Sequence, residues 1–366
     1  MNIPLIDLKA QYRGIEAEVR QAIDKVLDSG QYILGDEVSA FEEEFAAYAG
    51  ANYAVAVNSG TSALHLALLA AGIGPGDEVI STPSTFVATT AAIQYAGARA
   101  VLVDVDPLTL TMDPSQIEAA ITPATKAILP VHLYGHMADM VAIQAIAAQH
   151  DLFVVEDCAQ AHGAEFKGQR AGSWGDFGCF SFYPSKNLGA MGEGGLITTS
   201  SEEGAQRLRM LRDWGQSRKY HHEVLGFNYR MDGFQGAILR AKLAYLDGWV
   251  ELRRKIAAQY GKQITHSKLL LPIEQEFYKH VYYVYVVRCI ARDTLQSYLA
   301  GQGIGSGIHY PHPVHLEPVF ANLGYKTGDF PIAEKAAQQV LSIPMYPEMS
   351  AEQINTVAAA INEFPA

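Results

Sequence analysis

Apolar positions along the chain recur with two different periods. From Ile15 to Leu27 they follow helical spacing and stop at Ser29-Gly30; from Val38 to Tyr48 they do so again before Gly50. Two N-terminal helices are predicted, joined by a loop through Tyr32 and Gly35. An alternation of short elements then fills more than half the chain. Apolar strands are predicted at Tyr53–Val57, Glu78–Ser81, Ala98–Val103, Ala127–Val131 and Leu152–Val155, with helices at Thr61–Ala71, Val87–Tyr95 and Met140–Gln149. Two further strands, Gly178–Phe182 and Gly195–Thr199, precede a helix at Glu202–Trp214 and one long helix at Phe234–Tyr260. Short apolar strands separated by helices imply right-handed crossovers, and so an α/β fold whose mostly parallel central sheet carries helices on both faces. Beyond about Ile264 the pattern changes: strand His280–Ile290, helix Arg292–Leu299, strand Gly305–Tyr310 and a last amphipathic helix Ala351–Phe364. The expected organisation is a large α/β domain over 1–245 and a small C-terminal α+β domain over 246–366, joined by the long helix.

Composition narrows the function classes. Of 366 residues, 49% are apolar and 18% charged, the balance of a globular chain with a sizeable core. Lys plus Arg number 27 and Asp plus Glu 39, a net charge of −12, which argues against nucleic acid or an anionic membrane as the main partner. Cys158, Cys179 and Cys289 include no CxxC pair and read as free thiols in a reducing, cytoplasmic setting. Met1–Leu8 is followed by Lys9, Arg13, Glu16 and Glu18, with no signal-peptide core. The longest stretch without Asp, Glu, Lys or Arg, Phe45 to Gly76, is interrupted by Gly50 and Asn58-Ser59-Gly60 and makes a poor membrane span.

In an open α/β sheet, ligands sit beyond the carboxyl ends of the strands, so the residues following each strand are the candidates. Asn58-Ser59-Gly60-Thr61-Ser62-Ala63 opens a helix with small residues and hydroxyls, a setting for an anion. It matches neither GxGxxG nor a P-loop, and taken alone it reads first as a helix cap. Phe86 stands at another strand-end mouth, where an aromatic stacks on a flat ring. Asp157 ends an apolar strand, where a carboxylate is expensive to bury without a cationic partner such as a protonated ring nitrogen. Lys186 lies in the Gly-rich hairpin Tyr183-Pro184-Ser185-Lys186-Asn187-Leu188-Gly189-Ala190-Met191-Gly192-Glu193-Gly194-Gly195, between two apolar strands. A desolvated lysine becomes an amine nucleophile for Schiff-base chemistry. A phosphate cup, a stacking aromatic, an acid for a ring nitrogen and a lysine together describe a pyridoxal phosphate site.

These motifs, with Ile6-Asp7-Leu8-Lys9, Gly30-Gln31-Tyr32-Ile33-Leu34-Gly35, Gly74-Pro75-Gly76-Asp77-Glu78-Val79, Glu156-Asp157-Cys158-Ala159-Gln160-Ala161-His162-Gly163 and Gly226-Phe227-Asn228-Tyr229-Arg230-Met231-Asp232, resemble the DegT/DnrJ/EryC1/StrS sugar aminotransferases over nearly the whole chain. The resemblance implies the type I fold of pyridoxal phosphate-dependent transferases. It implies that Lys186 forms the Schiff base with the cofactor, that Asp157 binds the pyridine nitrogen, and that Gln160 lies near the ring hydroxyl. Phe86 takes the stacking position. Gly60, Thr61, Ser62 and Ser181 hold the phosphate, joined by Asn228 from the second subunit of a homodimer with shared sites. Cys158 stands where many relatives have alanine. Sugar dehydratases of the family carry His in place of the lysine, so Lys186 argues against that branch.

The segment Trp214-Gly215-Gln216-Ser217-Arg218-Lys219-Tyr220-His221-His222 resembles the loop with which relatives acting on 3-oxo sugars reach a nucleotide-linked substrate. Asn187 after the lysine and His162 point the same way; relatives aminating at C4 more often place His or Thr after the lysine. Arg230, with Lys219 or Arg218, is expected to pair with the diphosphate. Tyr32, Tyr183, Tyr220, His221, His309 and Tyr310 complete the expected sugar contacts. His309, His312 and His315 lack the carboxylate or cysteine spacing of a metal site, and no metal is expected. The expected reaction moves an amino group from an amino acid, L-glutamate, to a dTDP- or UDP-linked 3-oxo sugar. A 4-oxo sugar, an oxo-inositol and a non-catalytic pyridoxal phosphate-binding regulator are the alternatives.

Overall fold

In the computed structural model, which describes residues 2–365, seven strands form one sheet. In chain order they are β1 (Tyr53–Val57), β2 (Glu78–Ser81), β3 (Arg99–Leu102), β4 (Thr125–Ile128), β5 (Phe153–Asp157), β6 (Phe177–Ser181) and β7 (Gly195–Thr199). Their order across the sheet is β1-β7-β6-β5-β4-β2-β3. All run in one direction except β7, which is antiparallel to both neighbours.

The strands lack an alternating polar face because both faces are covered. Val55, Val57, Val79, Ala127, Val155 and Ile197 pack with the helices Gly60–Ala70, Val87–Tyr95 and Glu202–Arg212. The residues between them, among them Ala54, Ala56, Ile80, Ile128, Val154 and Leu196, pack on the other side with Asp36–Ala49, Met140–His150 and Gly233–Leu243. A third apolar cluster, built on Tyr260, Tyr285, Leu299, Leu341 and Ile361, fills the C-terminal part. Cys158, Cys179 and Cys289 are all buried.

Several features depart from the periodicity, among them the strand expected over His280–Ile290, which is shortened to Tyr285–Cys289. The run expected as one helix over Phe234–Tyr260 is two, Gly233–Leu243 and Leu246–Gln263. The Tyr245 N–H bonds to the Lys242 carbonyl three residues back, which closes the first helix, and Tyr245 then stacks on Trp249 at 5.8 Å. The expected strand Gly305–Tyr310 is reduced to a single bridge, Gly307 to Ser342, because His309 and Tyr310 turn aside to other partners. The helix Pro331–Gln339 and strand Val340–Ile343 escape the periodicity; that strand pairs antiparallel with Tyr285–Cys289. The carboxyl ends of β1, β2, β5 and β6 and the start of β7 open at one edge of the sheet, which gathers the candidate residues.

Candidate active site

Beyond β1 the chain turns at Ser59, whose extended backbone lets its hydroxyl cap the helix Gly60–Ala70 by accepting from the Ser62 N–H at 3.0 Å. The Ser62 hydroxyl donates to the side-chain amide oxygen of Asn58 at 2.6 Å. Gly60 has a steric reason: a Cβ there would lie 2.6 Å from the Ser181 Cβ. The missing side chain lets the end of β6 pack directly against a helix N-terminus, so Gly60, Thr61, Ser62 and Ser181 sit together where backbone N–H groups and the helix dipole favour an anion.

Asp157, at the end of β5, is 5% exposed. One carboxylate oxygen accepts from the Thr89 hydroxyl at 2.7 Å and the other from the Ala159 N–H at 3.1 Å. Burial pushes its pKa up; those two donors, with Lys186 and His132 nearby, pull it down, and burial dominates. A carboxylate so placed gains strongly from a cation on its open side. Thr89 is itself held by Thr85 at 2.6 Å, one helical turn away. Glu156, its neighbour in sequence, plays a different part. It accepts from the N–H groups of Gly172, Trp174 and Gly175 and lies 2.9 Å from the His132 ring, which pins the loop after β5 in place.

Lys186 sits in the turn between β6 and β7, with its ammonium 4.2 Å from the centre of the Tyr283 ring. The Tyr283 hydroxyl pairs with Ser185 at 3.2 Å. Gln160 is buried, accepting from the Tyr134 N–H at 2.7 Å and donating to the Tyr310 hydroxyl at 3.1 Å. Tyr310 faces Phe86, whose ring is 52% exposed at the head of the helix Val87–Tyr95, with centroids 5.5 Å apart. His309 pairs with Ser342 at 2.8 Å, its backbone carbonyl accepts from the Tyr134 hydroxyl, and burial with Lys186 nearby brings its pKa down to about 4. One wall therefore carries Asp157, Gln160 and Lys186, an open aromatic ring stands beside it, and an anion cradle borders it.

The sequence matches the model of the DegT/DnrJ/EryC1/StrS aminotransferase family over residues 13–362. The chain belongs to this family. It is 48% identical, over 100% of this chain and 99% of the relative, to the pleiotropic regulatory protein of Geobacillus stearothermophilus. It is 47% identical to the dTDP-3-amino-3,4,6-trideoxy-alpha-D-glucose transaminase of Streptomyces venezuelae, over 99% of this chain and 96% of that one. The crystal structure of S. venezuelae DesV in complex with a ketimine intermediate superposes with a TM-score of 0.97 at 47% identity, covering 99% of this chain and 98% of that one.

Like its relatives in the DegT/DnrJ/EryC1/StrS family, solved in pyridoxal or pyridoxamine phosphate form, this aminotransferase uses pyridoxal phosphate. Its residues fit the group. Asp157 is a buried carboxylate that gains from a cationic ring nitrogen, and the Gly60–Ser181 approach forms a cradle that any Cβ at position 60 would fill.

The expected substrate residues divide. Tyr32, Tyr183, Lys219, Tyr220 and His221 are exposed, the last three on the hairpin Gln216–Arg218 with His221–His222; Tyr32 stacks on Phe234. Two expectations need correction. Asn187 is buried and its amide donates to the Val281 carbonyl at 3.1 Å, so it braces the lysine turn instead of facing a sugar. His162 is fully buried between Phe180 and Phe182, with its pKa brought down to about 3 by burial and by Lys186. A ring sealed there is a neutral packing element. Arg230 is engaged by Asp213, which also accepts from Gln216 at 2.5 Å, so it fastens the base of that hairpin. Asn228 is exposed on a segment that bonds to Asn58 through the Tyr229 carbonyl at 2.9 Å. His309, His312 and His315 turn to separate partners, Ser342, Glu317 and Glu334.

Sequence reasoning missed Thr89, Tyr134 and Tyr283. Thr85 and Thr89 at i, i+4 beside Phe86 carried a legible signal. Tyr283 lies 97 residues after Lys186 and carried none.

Proposed function

We propose that this aminotransferase moves an amino group from L-glutamate to C3 of a dTDP- or UDP-linked 3-oxo hexose. The observation that carries the reading is the meeting of Lys186 with a buried Asp157 beside an anion cradle, in a chain 47% identical to a transaminase of a 3-amino nucleotide sugar. When bound, pyridoxal phosphate supplies an electrophilic carbon for the amine and a ring that accepts the electron pair released at the reacting carbon. The chain's own residues do the rest. Asp157 would hold a proton on the ring nitrogen, and the hydrogen bonds from Thr89 and the Ala159 N–H offset part of the cost that burial places on its charged form. Lys186 Nζ moves the proton between donor carbon and cofactor. Thr61, Ser62 and Ser181 would hold the phosphate, Phe86 would stack on the ring, and Gln160 would lie near the ring hydroxyl.

The sugar contacts in this reading are Lys219, Tyr220 and His221 on the hairpin, with Tyr32, Tyr183, His309 and Tyr310. The protein acts in the cytoplasm as a homodimer, with Asn228 reaching the partner's phosphate site. Residues 1–245 and 246–366 form its two domains; the separate apolar cluster of the C-terminal part supports that division.

Purified protein is tested with 3-oxo and 4-oxo dTDP- and UDP-sugars and glutamate, and the product's amine position is read by NMR. Amination at C3 that Lys186→Ala abolishes supports the reading; amination at C4 alone, or turnover by Lys186→Ala, overturns it. A regulatory role is favoured by the name of the Geobacillus relative. Absence of turnover with every keto sugar would favour that role.

A further inference from the structure

Lys242 is 2% exposed, on the inner face of the helix Gly233–Leu243, and its ammonium donates to the carbonyl of Gly189, three residues after Lys186. A buried ammonium is expensive unless something offsets it. Burial brings its pKa down to about 8, with Glu348 pulling the other way. A neutral amide could satisfy a carbonyl at lower cost, so retention of a cation calls for an explanation at the turn it touches.

That turn is gripped by one helix at two points. Gln235 accepts from the Met191 N–H at 2.9 Å and donates to the Met191 carbonyl at 3.4 Å. Lys242 holds Gly189. Positions 235 and 242 are seven residues apart, about two helical turns, and so share a face. Between the grips the turn is closed by its own bonds, Lys186 N–H to the Tyr183 carbonyl at 2.8 Å and Ala190 N–H to the Phe182 carbonyl at 2.7 Å.

The same arrangement recurs on the other side of Lys186. Arg253, 3% exposed on the next helix, donates to the carbonyls of Tyr283 at 3.2 Å and Met345 at 2.9 Å. The Tyr283 ring is the one that lies against the Lys186 ammonium. Glu348, half-buried, is the carboxylate that stabilises both cations. Two buried cations, each bonded to backbone carbonyls, thus hold the peptide carrying Lys186 and the residue whose ring lies against its tip.

We propose that Lys242 is a positioning residue for Lys186, fixing the lysine turn through the Gly189 carbonyl. The inference rests on Lys186 being the cofactor lysine, and the experiment separates the two. Borohydride reduction of the wild-type holoenzyme, followed by mass spectrometry, locates the modified lysine; a label elsewhere defeats the Lys186 assignment itself. With the label on Lys186, hydrogen exchange is compared in holoenzyme carrying Lys242→Met, Glu348→Gln or, as a control on an exposed side chain, Lys255→Met.

Lys242→Met should speed exchange of the amides of residues 186–191 by about tenfold, with the strands of the sheet unchanged. It should lower kcat by about tenfold while KM for glutamate and for the keto sugar moves less than twofold, a split that general destabilisation does not produce. Glu348→Gln preserves volume at a half-buried position, and should show the same pattern at about threefold; it carries the test alone if Lys242→Met does not fold. Unchanged exchange at 186–191, or an equal change across the sheet, overturns the proposal.

Discussion

At the scale of single residues, the site is governed by what burial does to charge. Asp157→Asn preserves shape and one accepting oxygen, turns the other edge into a donor, and cannot hold a proton on a ring nitrogen. Cofactor should stay bound while turnover falls on the order of 10²-fold or more, the weight of one preorganised charge; steady-state rates measured on the yellow holoprotein check this. His162 makes a prediction about acid. Its folded pKa of about 3 lies below the ordinary 6.5, so between those values the unfolded chain binds a proton that the folded one refuses. Its stabilising effect is complete above pH 6.5 and declines as pH falls toward 3, at about 1.4 kcal/mol per unit. Between pH 6.5 and 5 that is a loss of about 2 kcal/mol from this one ring. His162→Phe, among Phe180 and Phe182, should abolish that part of the acid sensitivity, seen as a smaller drop in the urea midpoint between pH 7 and 5 at saturating cofactor.

At the scale of elements, close approach decides what the chain tolerates. Gly60→Ala places a methyl 2.6 Å from the Ser181 Cβ, well inside contact distance, so the helix Gly60–Ala70 must shift by about an ångström from β6. Affinity for pyridoxal phosphate should fall at least tenfold with the rest of the sheet intact; titration by visible absorbance measures it. Elements of this kind were legible where local sequence determines them. β1, β2, β7 and the helix Val87–Tyr95 match the periodicity residue for residue, because each is an apolar run ended by small or polar residues. The break at Ala244–Tyr245 was hidden because both sides have good helical spacing and no Gly or Pro marks it. Lys186 and Asp157 could be read from their places at strand ends. The burial of Asn187 and His162, by contrast, is set by Val281, Phe180 and Phe182, which come near only in the folded chain.

At the scale of the whole molecule, the exposed segment carrying Asn228 makes assembly testable. Mixing Lys186→Ala with Asn228→Ala chains, each inactive alone, creates hybrid dimers in which one site collects both defects and the other none. Activity should rise toward a quarter of wild type when subunit exchange is complete; a mixture that stays inactive, with exchange verified by mass, places Asn228 in its own subunit's site. The buried cysteines have a practical consequence. Cys158 follows Asp157 directly and its N–H bonds to the Cys179 carbonyl at 2.8 Å, so two thiols lie beneath the reacting centre, both shielded and both with pKa raised by burial. A thiol-reactive dye therefore reaches neither Cys158 nor Cys179 until the sheet opens, and in a Cys289→Ala background the chain carries its own reporter of breathing under the cofactor. Ligand that binds only the closed form suppresses opening in proportion to its occupancy. Labelling should slow as pyridoxal phosphate is added, and the concentration that halves the rate reads out cofactor affinity without any assay of turnover.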